Sequence, residues 1–370
     1  MQDEIICKVA LSLTSGVGNV VTRQLISYCG SAAEVFKSPK GKLLKIPGIG
    51  PKTAEAILRK EALAEAEQEC EKARQAGVQL LFYTDASYPK RLRQIADAPV
   101  LIYTKGPADL NARKTVAIVG TRQATAYGKE VTERIVSDLK QYSSLLIISG
   151  LAYGIDIAAH KAAIRQGIAT VGVMASGVDI VYPAAHKNTA AQMVETGALV
   201  TEYTLGTKPD APYFPARNRI IAGLADVVIV VEAAKTGGAL ITADLANDYN
   251  REVFAVPGNL GLSHSEGCNR LIKDLKANIF TGIPDLATLM NWETEETRKE
   301  IPKEPDLNDL SDEEQQIITL LRNQTEMLMD DLSWQAQIPI GKMASILLNL
   351  ELKGLVKALP GKKFTVPNRK

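Results

Sequence analysis

Val116-Ala117-Ile118-Val119-Gly120-Thr121-Arg122 decides the fold of this chain. Four apolar residues, two of them valine, make a short strand with no polar alternation, so the strand is expected to be covered on both faces. The run ends in a glycine, a hydroxyl and a guanidinium, and a helical pattern starts near Tyr127. Gly120 allows close backbone approach, Thr121 offers a donor, and Arg122 presents a planar fork suited to phosphate. Arg122 also suits a carboxylate in the same crevice. The turn lacks the Gly-x-Gly-x-x-Gly pattern of dinucleotide-binding proteins, so neither NAD nor FAD is expected, nor any other cofactor.

The same grammar repeats on either side. Apolar runs at Leu145 to Ile148, Ala169 to Met174, Ala198 to Val200, Val227 to Val231 and Val253 to Val256 are separated by helix-length segments. That is the pattern of βαβ units in a parallel sheet. The fold class is therefore α/β, an extended Rossmann-like sheet over residues 76–291. Ligands of such sheets bind beyond the carboxyl ends of the strands. Those ends read Ser149-Gly150, with Gly154 and Asp156 following, then Ser176-Gly177, Glu202, Glu232 leading to Thr236-Gly237, and Pro257-Gly258-Asn259. Asp156 reads as a helix cap in preference to a catalytic acid, and His160 as a structural histidine in preference to an active one. Tyr182-Pro183 with His186 and Lys187 supplies either a stacking edge with a cation or a shaped loop. In Phe214-Pro215-Ala216-Arg217-Asn218-Arg219, an aromatic and two arginines sit at a helix start with no evident reason to pack, which points to phosphate or base contact.

Length and composition bound the rest. The chain has 370 residues, 46% apolar and 23% charged, which suits two or three globular domains and neither disorder nor a membrane class. The start of the sequence lacks the pattern of a secretory signal, and no apolar run approaches a span of about 20 residues, so the cytoplasm is expected. Four scattered cysteines and three histidines give no zinc spacing, and no metal is expected. The net charge of +1 says nothing about partners, because local clusters decide.

Residues 1–75 read as a helical domain with a weak internal repeat: Ser15-Gly16-Val17-Gly18-Asn19 is echoed by Pro47-Gly48-Ile49-Gly50-Pro51. The second copy resembles a helix-hairpin-helix motif, with Lys45, Gly48, Gly50, Lys52 and Thr53 as a secondary DNA-binding set, or else as a turn that only packs. The first copy reads as structural. A Pro- and Glu-rich stretch, Glu293 to Asp306, marks a linker over 292–309. Residues 310–370 follow the order of a winged helix. Its third helix, about Ile340 to Lys353, has core spacing at Met343, Ile346, Leu347 and Leu350, and only Lys342 and Lys353 supply charge. Protein contact is therefore preferred over DNA reading.

Val-Gly-Thr-Arg at 119–122, Ser-Gly-Leu-Ala-x-Gly-Ile-Asp at 149–156, Phe-Pro-Ala-Arg-Asn-Arg-Ile-Ile-Ala-Gly-Leu at 214–224, Gly-Ala-Leu-Ile-Thr-Ala at 238–243 and Phe-Ala-Val-Pro-Gly at 254–258 resemble the DNA-processing family DprA, also called Smf. Tyr88-Pro89 and Ala98 to Tyr103 fit the same family. The resemblance implies a non-enzymatic protein that binds and protects single-stranded DNA and loads the RecA recombinase during natural transformation. It further implies a homodimer formed near the end of the α/β domain, for which Leu271 and Ile272 are the candidates. One departure is Ala184, where members often carry a basic residue after Tyr-Pro; Lys187 is the candidate substitute. From the residues alone, the rival is a Rossmann-like nucleotide hydrolase, with Glu202 or Glu232 as base, or a nucleotide sensor. Several glycine- or arginine-bearing strand ends on one sheet edge favour a polymer of phosphates over one nucleotide.

Overall fold

The computed structural model describes residues 4–292, 310–324, 326–353, 355–359 and 361–366. They fall into two compact units, 1–292 and 293–370. The expected linker, Glu293 to Asp306, lies outside the described residues.

The first unit begins with six helices: α1 (Glu4–Leu13), α2 (Asn19–Cys29), α3 (Ala32–Lys37), α4 (Lys40–Leu43), α5 (Pro51–Arg59) and α6 (Glu61–Gln75). The weak sequence repeat is a structural repeat. Gly16 and Gly48 have φ of 79° and 80°, and Val17 and Ile49 beside them are buried. Gly18 and Gly50 then start α2 and α5 from the same extended conformation. The two hairpins also meet, because Thr53 lies over the Cα of Gly16 and Gln24 over that of Gly48.

The sheet follows: β1 (Gln79–Phe82), β2 (Leu101–Lys105), β3 (Lys114–Val119), β4 (Leu145–Ser149), β5 (Thr170–Val173), β6 (Ala198–Thr201), β7 (Val227–Val230), β8 (Glu252–Ala255) and β9 (Asn278–Ile279), in the spatial order β1-β2-β6-β5-β4-β3-β7-β8-β9. From β6 to β9 all pairs are parallel, with Ala117 opposite Ile148 on one side and Val228 on the other. Each of the six expected apolar runs is a strand. Beyond them, β1 and β2 extend one side in antiparallel pairing, and β9 closes the other.

The helices between strands are α7 (Lys90–Arg93), α8 (Ala126–Leu139), α9 (Ile155–Gln166), α10 (Lys187–Thr196), α11 (Tyr213–Leu224), α12 (Gly238–Asp248), α13 (Glu266–Lys273) and α14 (Ile283–Leu289). Strand β3 shows how the sheet is clad. Val116 and Ile118 pack with Val131, Ile135 and Leu139 of α8, while Ala117 and Val119 pack with Ile220 of α11 and Leu240 of α12. Successive residues of a strand face opposite sides, so an unbroken apolar run serves two cores.

The helical region shares its core with the sheet. Leu11, Phe36 and Ala66 join Leu101, Tyr103 and Leu199 in one apolar cluster. Polar ties reinforce it: Glu69 accepts from the Leu205 N–H at 2.7 Å, Asn19 from the Val100 N–H at 3.0 Å, and Lys8 pairs with Asp85 at 2.6 Å.

In the second unit, helices Asp312–Asn323, Met329–Ala336 and Ile340–Leu352 pack with a three-stranded antiparallel sheet made of Met327–Leu328, Lys357–Leu359 and Lys363–Thr365. This is the winged-helix order. Ser311 and Glu314 form a reciprocal cap that fixes the first helix. Pro360 of the expected turn lies outside the described residues, and Gly361 carries the positive φ there.

Candidate nucleic-acid interface

The Gly-Thr-Arg turn is locked between two neighbouring strand ends. The Thr121 N–H donates to the Glu232 carbonyl at 2.8 Å, and the Ile155 N–H donates to the Thr121 carbonyl at 3.2 Å. Both contacts need glycine. A side chain at Gly120 would overlap Ile155, and one at Gly154, where φ is +79°, would overlap the Thr121 carbonyl. Below the turn, the buried Glu232 carboxylate accepts from the Thr125 N–H at 3.0 Å and from the Thr125 hydroxyl. Thr125 in turn caps α8 by accepting from the Gly128 N–H at 3.0 Å. The Arg122 side chain is exposed.

Arg122 stands at the rim of a cleft of about 540 Å³ whose lining includes Gly120, Thr121, Phe214, Asn218, Thr236 and Gly237. Its guanidinium lies over the Phe214 ring, 5.3 Å from the centroid. Phe214 meets Tyr182 at 5.7 Å with the planes tilted by 59°. Tyr182 and Tyr153 are each half exposed, and with Pro183 they continue the aromatic rim. Helix α12 starts at Gly237-Gly238 on the cleft wall without a side-chain cap. Its first N–H groups have no intrahelical partner and favour an anion. The place thus combines a cation, aromatic faces and backbone donors. Tyr153 was missed as a contributor in reading the sequence; its signal is an aromatic standing in a glycine turn.

Arg217 has a packing reason after all. It is 4% exposed, and Nη1 donates to the carbonyls of Gly150 and Val173 while Nε donates to the Asn218 side chain at 3.2 Å. The missing side chain of Gly150 makes room for the guanidinium. Burial pulls the Arg217 pKa down to about 10, opposed by the Asp156 carboxylate, and burial likewise raises Asp156. Arg217 therefore ties α11 to β4 and β5 and forms the cleft floor, with Asn218 bound to the Gly238 carbonyl at 3.2 Å.

Three further expected contacts do not line the cleft. Arg219 pairs with Glu202, both side chains mostly enclosed, and does not line the cleft. Ser149 is fully buried, donating to the Ile118 carbonyl at 2.6 Å, because its side chain points into the sheet. Lys187 is exposed at the start of α10 and also stands off the cleft lining. His160 is structural: it is buried against Thr170 at 2.8 Å, and its pKa is pushed down to about 3 by burial first, then by Arg217 and His186. Glu202 and Glu232 are both engaged as described.

Elsewhere, Lys45 and Lys52 are exposed around the second hairpin, where Gly48 and Gly50 hold the turn and Thr53 faces the first copy. Leu271 is not a surface residue. It is 3% exposed in the core under the sheet, and Ile272 packs partly against it; the exposed apolar side chain at this end is Leu275, at 92%. This follows from α13 turning its Cys268 and Leu271 face inward. On the third winged-helix helix, Met343, Ile346, Leu347 and Leu350 are buried, Lys342 pairs with Glu313, and Lys353 pairs with Glu314. Among the described residues no His, Cys, Asp and Glu group could hold a metal, and no helix is long and apolar enough to cross a membrane.

The family model for DNA recombination-mediator protein A matches residues 79–291, that for the DprA winged helix domain 301–362, and that for a SAM-like helix-hairpin-helix tandem 10–69. Protein Smf of Synechocystis is 31% identical, over 96% of this chain and 97% of its own length. DNA processing protein DprA of Streptococcus pneumoniae is 43% identical over 55% of this chain and 71% of its own. The X-ray structure of that protein superposes with a TM-score of 0.67 at 32% identity, covering 78% of this chain and 98% of the other. A structure of DNA processing protein A from Helicobacter pylori, described for its unique single-stranded DNA binding mode, superposes with a TM-score of 0.53 at 28% identity, covering 58% and 97%. The locked Gly-Thr-Arg turn, the arginine-anchored cleft and the three matched regions together place this chain in the DNA recombination-mediator protein A family, DprA/Smf.

Proposed function

We propose that this chain binds single-stranded DNA without turnover, protects it, and loads the RecA recombinase onto it during natural transformation and homologous recombination, acting in the cytoplasm as a homodimer. The observation that carries the DNA reading is the cleft rim, where exposed Arg122 lies over Phe214 and Phe214 meets Tyr182. Single strands are held by cationic grooves with aromatic faces on which bases stack. The Helicobacter pylori relative, described for its single-stranded DNA binding, supports the same reading. The recombinase and the setting in transformation rest on family membership, and the dimer rests on that together with exposed Leu275 and half-exposed Ile279 at one sheet edge.

A hydrolase reading loses its candidate bases. Glu232 is occupied by Thr125, and Glu202 by Arg219. The deciding experiment is fluorescence anisotropy with labelled oligo(dT) at rising salt. Tight binding at low salt that weakens steeply supports the proposal. Absence of binding at micromolar protein overturns it. Faster RecA filament assembly on the same DNA tests the loading step, and an unchanged rate removes it.

A further inference from the structure

Beside the cleft a second groove of about 500 Å³ runs between α8 and α9, with Arg122 and Tyr153 at its mouth. Arg122 also lines the cleft, so the two share a wall. Four basic side chains, Arg122, Lys129, Lys161 and Arg165, face this groove, and Glu133 is the single carboxylate among them.

The charge arrangement is not the one that helix surfaces favour. Lys129 and Glu133 stand four residues apart on α8, a spacing at which opposite charges stabilise a helix, while Lys161 and Arg165 stand four apart on α9 with like charge. Glu133 is instead taken by Arg165 across the groove at 2.8 Å. Among the described residues, Lys129 and Lys161 have no ion-pair partner and are exposed. Two unneutralised ammonium groups are therefore gathered in a concave space whose only carboxylate is committed. Such a groove attracts a polyanion. At its mouth Tyr153 is half exposed, braced edge-on by His186 at 4.9 Å, and free on its outer side to receive a flat ring.

We infer that this groove carries the continuation of a nucleic-acid single strand whose other part lies in the cleft. Lys129 and Lys161 contact successive phosphates, Tyr153 stacks a base, and Arg122 is the shared post around which the strand passes. The inference rests on the single-strand reading above and adds a path and a length to it.

The test compares labelled oligo(dT) of about six nucleotides with one of about twenty, lengths chosen to bracket a compact binding site. Lys129→Ala/Lys161→Ala should bind the short oligonucleotide within about twofold of the parent protein and the long one about tenfold more weakly. The slope of log affinity against log salt for the long strand should be shallower by about 1.4, since each single-strand phosphate contact contributes about 0.7. Parent-like binding of both lengths by the double variant overturns the groove and leaves the cleft reading intact. Equal loss on both lengths also overturns it, by making the lysines part of the primary site. If the parent protein binds neither length, the single-strand reading itself has failed.

Discussion

Arg122 places its guanidinium 5.3 Å from the centre of the Phe214 ring, one residue at a strand end and the other in the first turn of a later helix. The pair offers one contact to charge and another to an aromatic face. Arg122→Ala should lower affinity for oligo(dT) by about tenfold to a hundredfold, the range for losing one charge-assisted contact of about 1.5–3 kcal/mol. It should also make the salt slope shallower by about 0.7. Arg122→Lys should keep the slope and lose affinity, because an ammonium lacks the planar fork. Anisotropy titrations at several salt concentrations check both.

Gly154→Ala should damage fold and binding together. The new methyl group would overlap the Thr121 carbonyl, at a residue already in the left-handed region. A destabilisation of about 2 kcal/mol or more is expected, seen as a lower urea midpoint. DNA affinity should fall at temperatures where the protein remains folded, since the displaced carbonyl belongs to the Gly-Thr-Arg turn.

His160 makes stability depend on pH. Its pKa falls from 6.5 when exposed to about 3 in the folded protein. Between those values the unfolded chain binds a proton that the folded one excludes. The contribution is complete above pH 6.5 and is lost as pH falls toward about 3. Unfolding free energies from urea titrations should therefore drop with falling pH by up to about 1.4 kcal/mol per unit more in the parent than in His160→Gln. Equal slopes would show that His160 has the same pKa folded and unfolded.

Leu275 and Leu271 separate assembly from folding. If the proposed homodimer forms through this end, Leu275→Lys should leave the protein folded by circular dichroism and shift sedimentation from dimer to monomer, as expected for an exposed apolar contact. Leu271→Lys buries an unpaired charge in a packed core and should unfold the protein or lower its melting temperature sharply.

The six central strands were legible because covered parallel strands leave unbroken β-branched runs, and the cleft because glycine and cationic residues end those runs. The strands β1 and β2 were not. Gln79–Phe82 offers three apolar residues behind a helix, and its strand character comes from pairing with Leu101–Lys105. Arg217 was misread for a related reason. In sequence it belongs to an exposed-looking Arg-Asn-Arg cluster, and its burial depends on an empty space above Gly150, 67 residues away. Ser149 shows the two-residue period of a strand deciding which way a hydroxyl points. Local pattern carried the elements and their ends; the partners of polar side chains came from tertiary contact.

The core shared by the hairpin helices and the sheet has a mechanical consequence. Glu69 on the Leu205 N–H and Phe36 in the cluster with Tyr103 leave the two hairpins no freedom to swing as a tethered arm. The distance from the second hairpin to the cleft is a property of the folded protein and does not vary with a linker. If a strand reached both places, this fixed spacing would set the number of nucleotides between them.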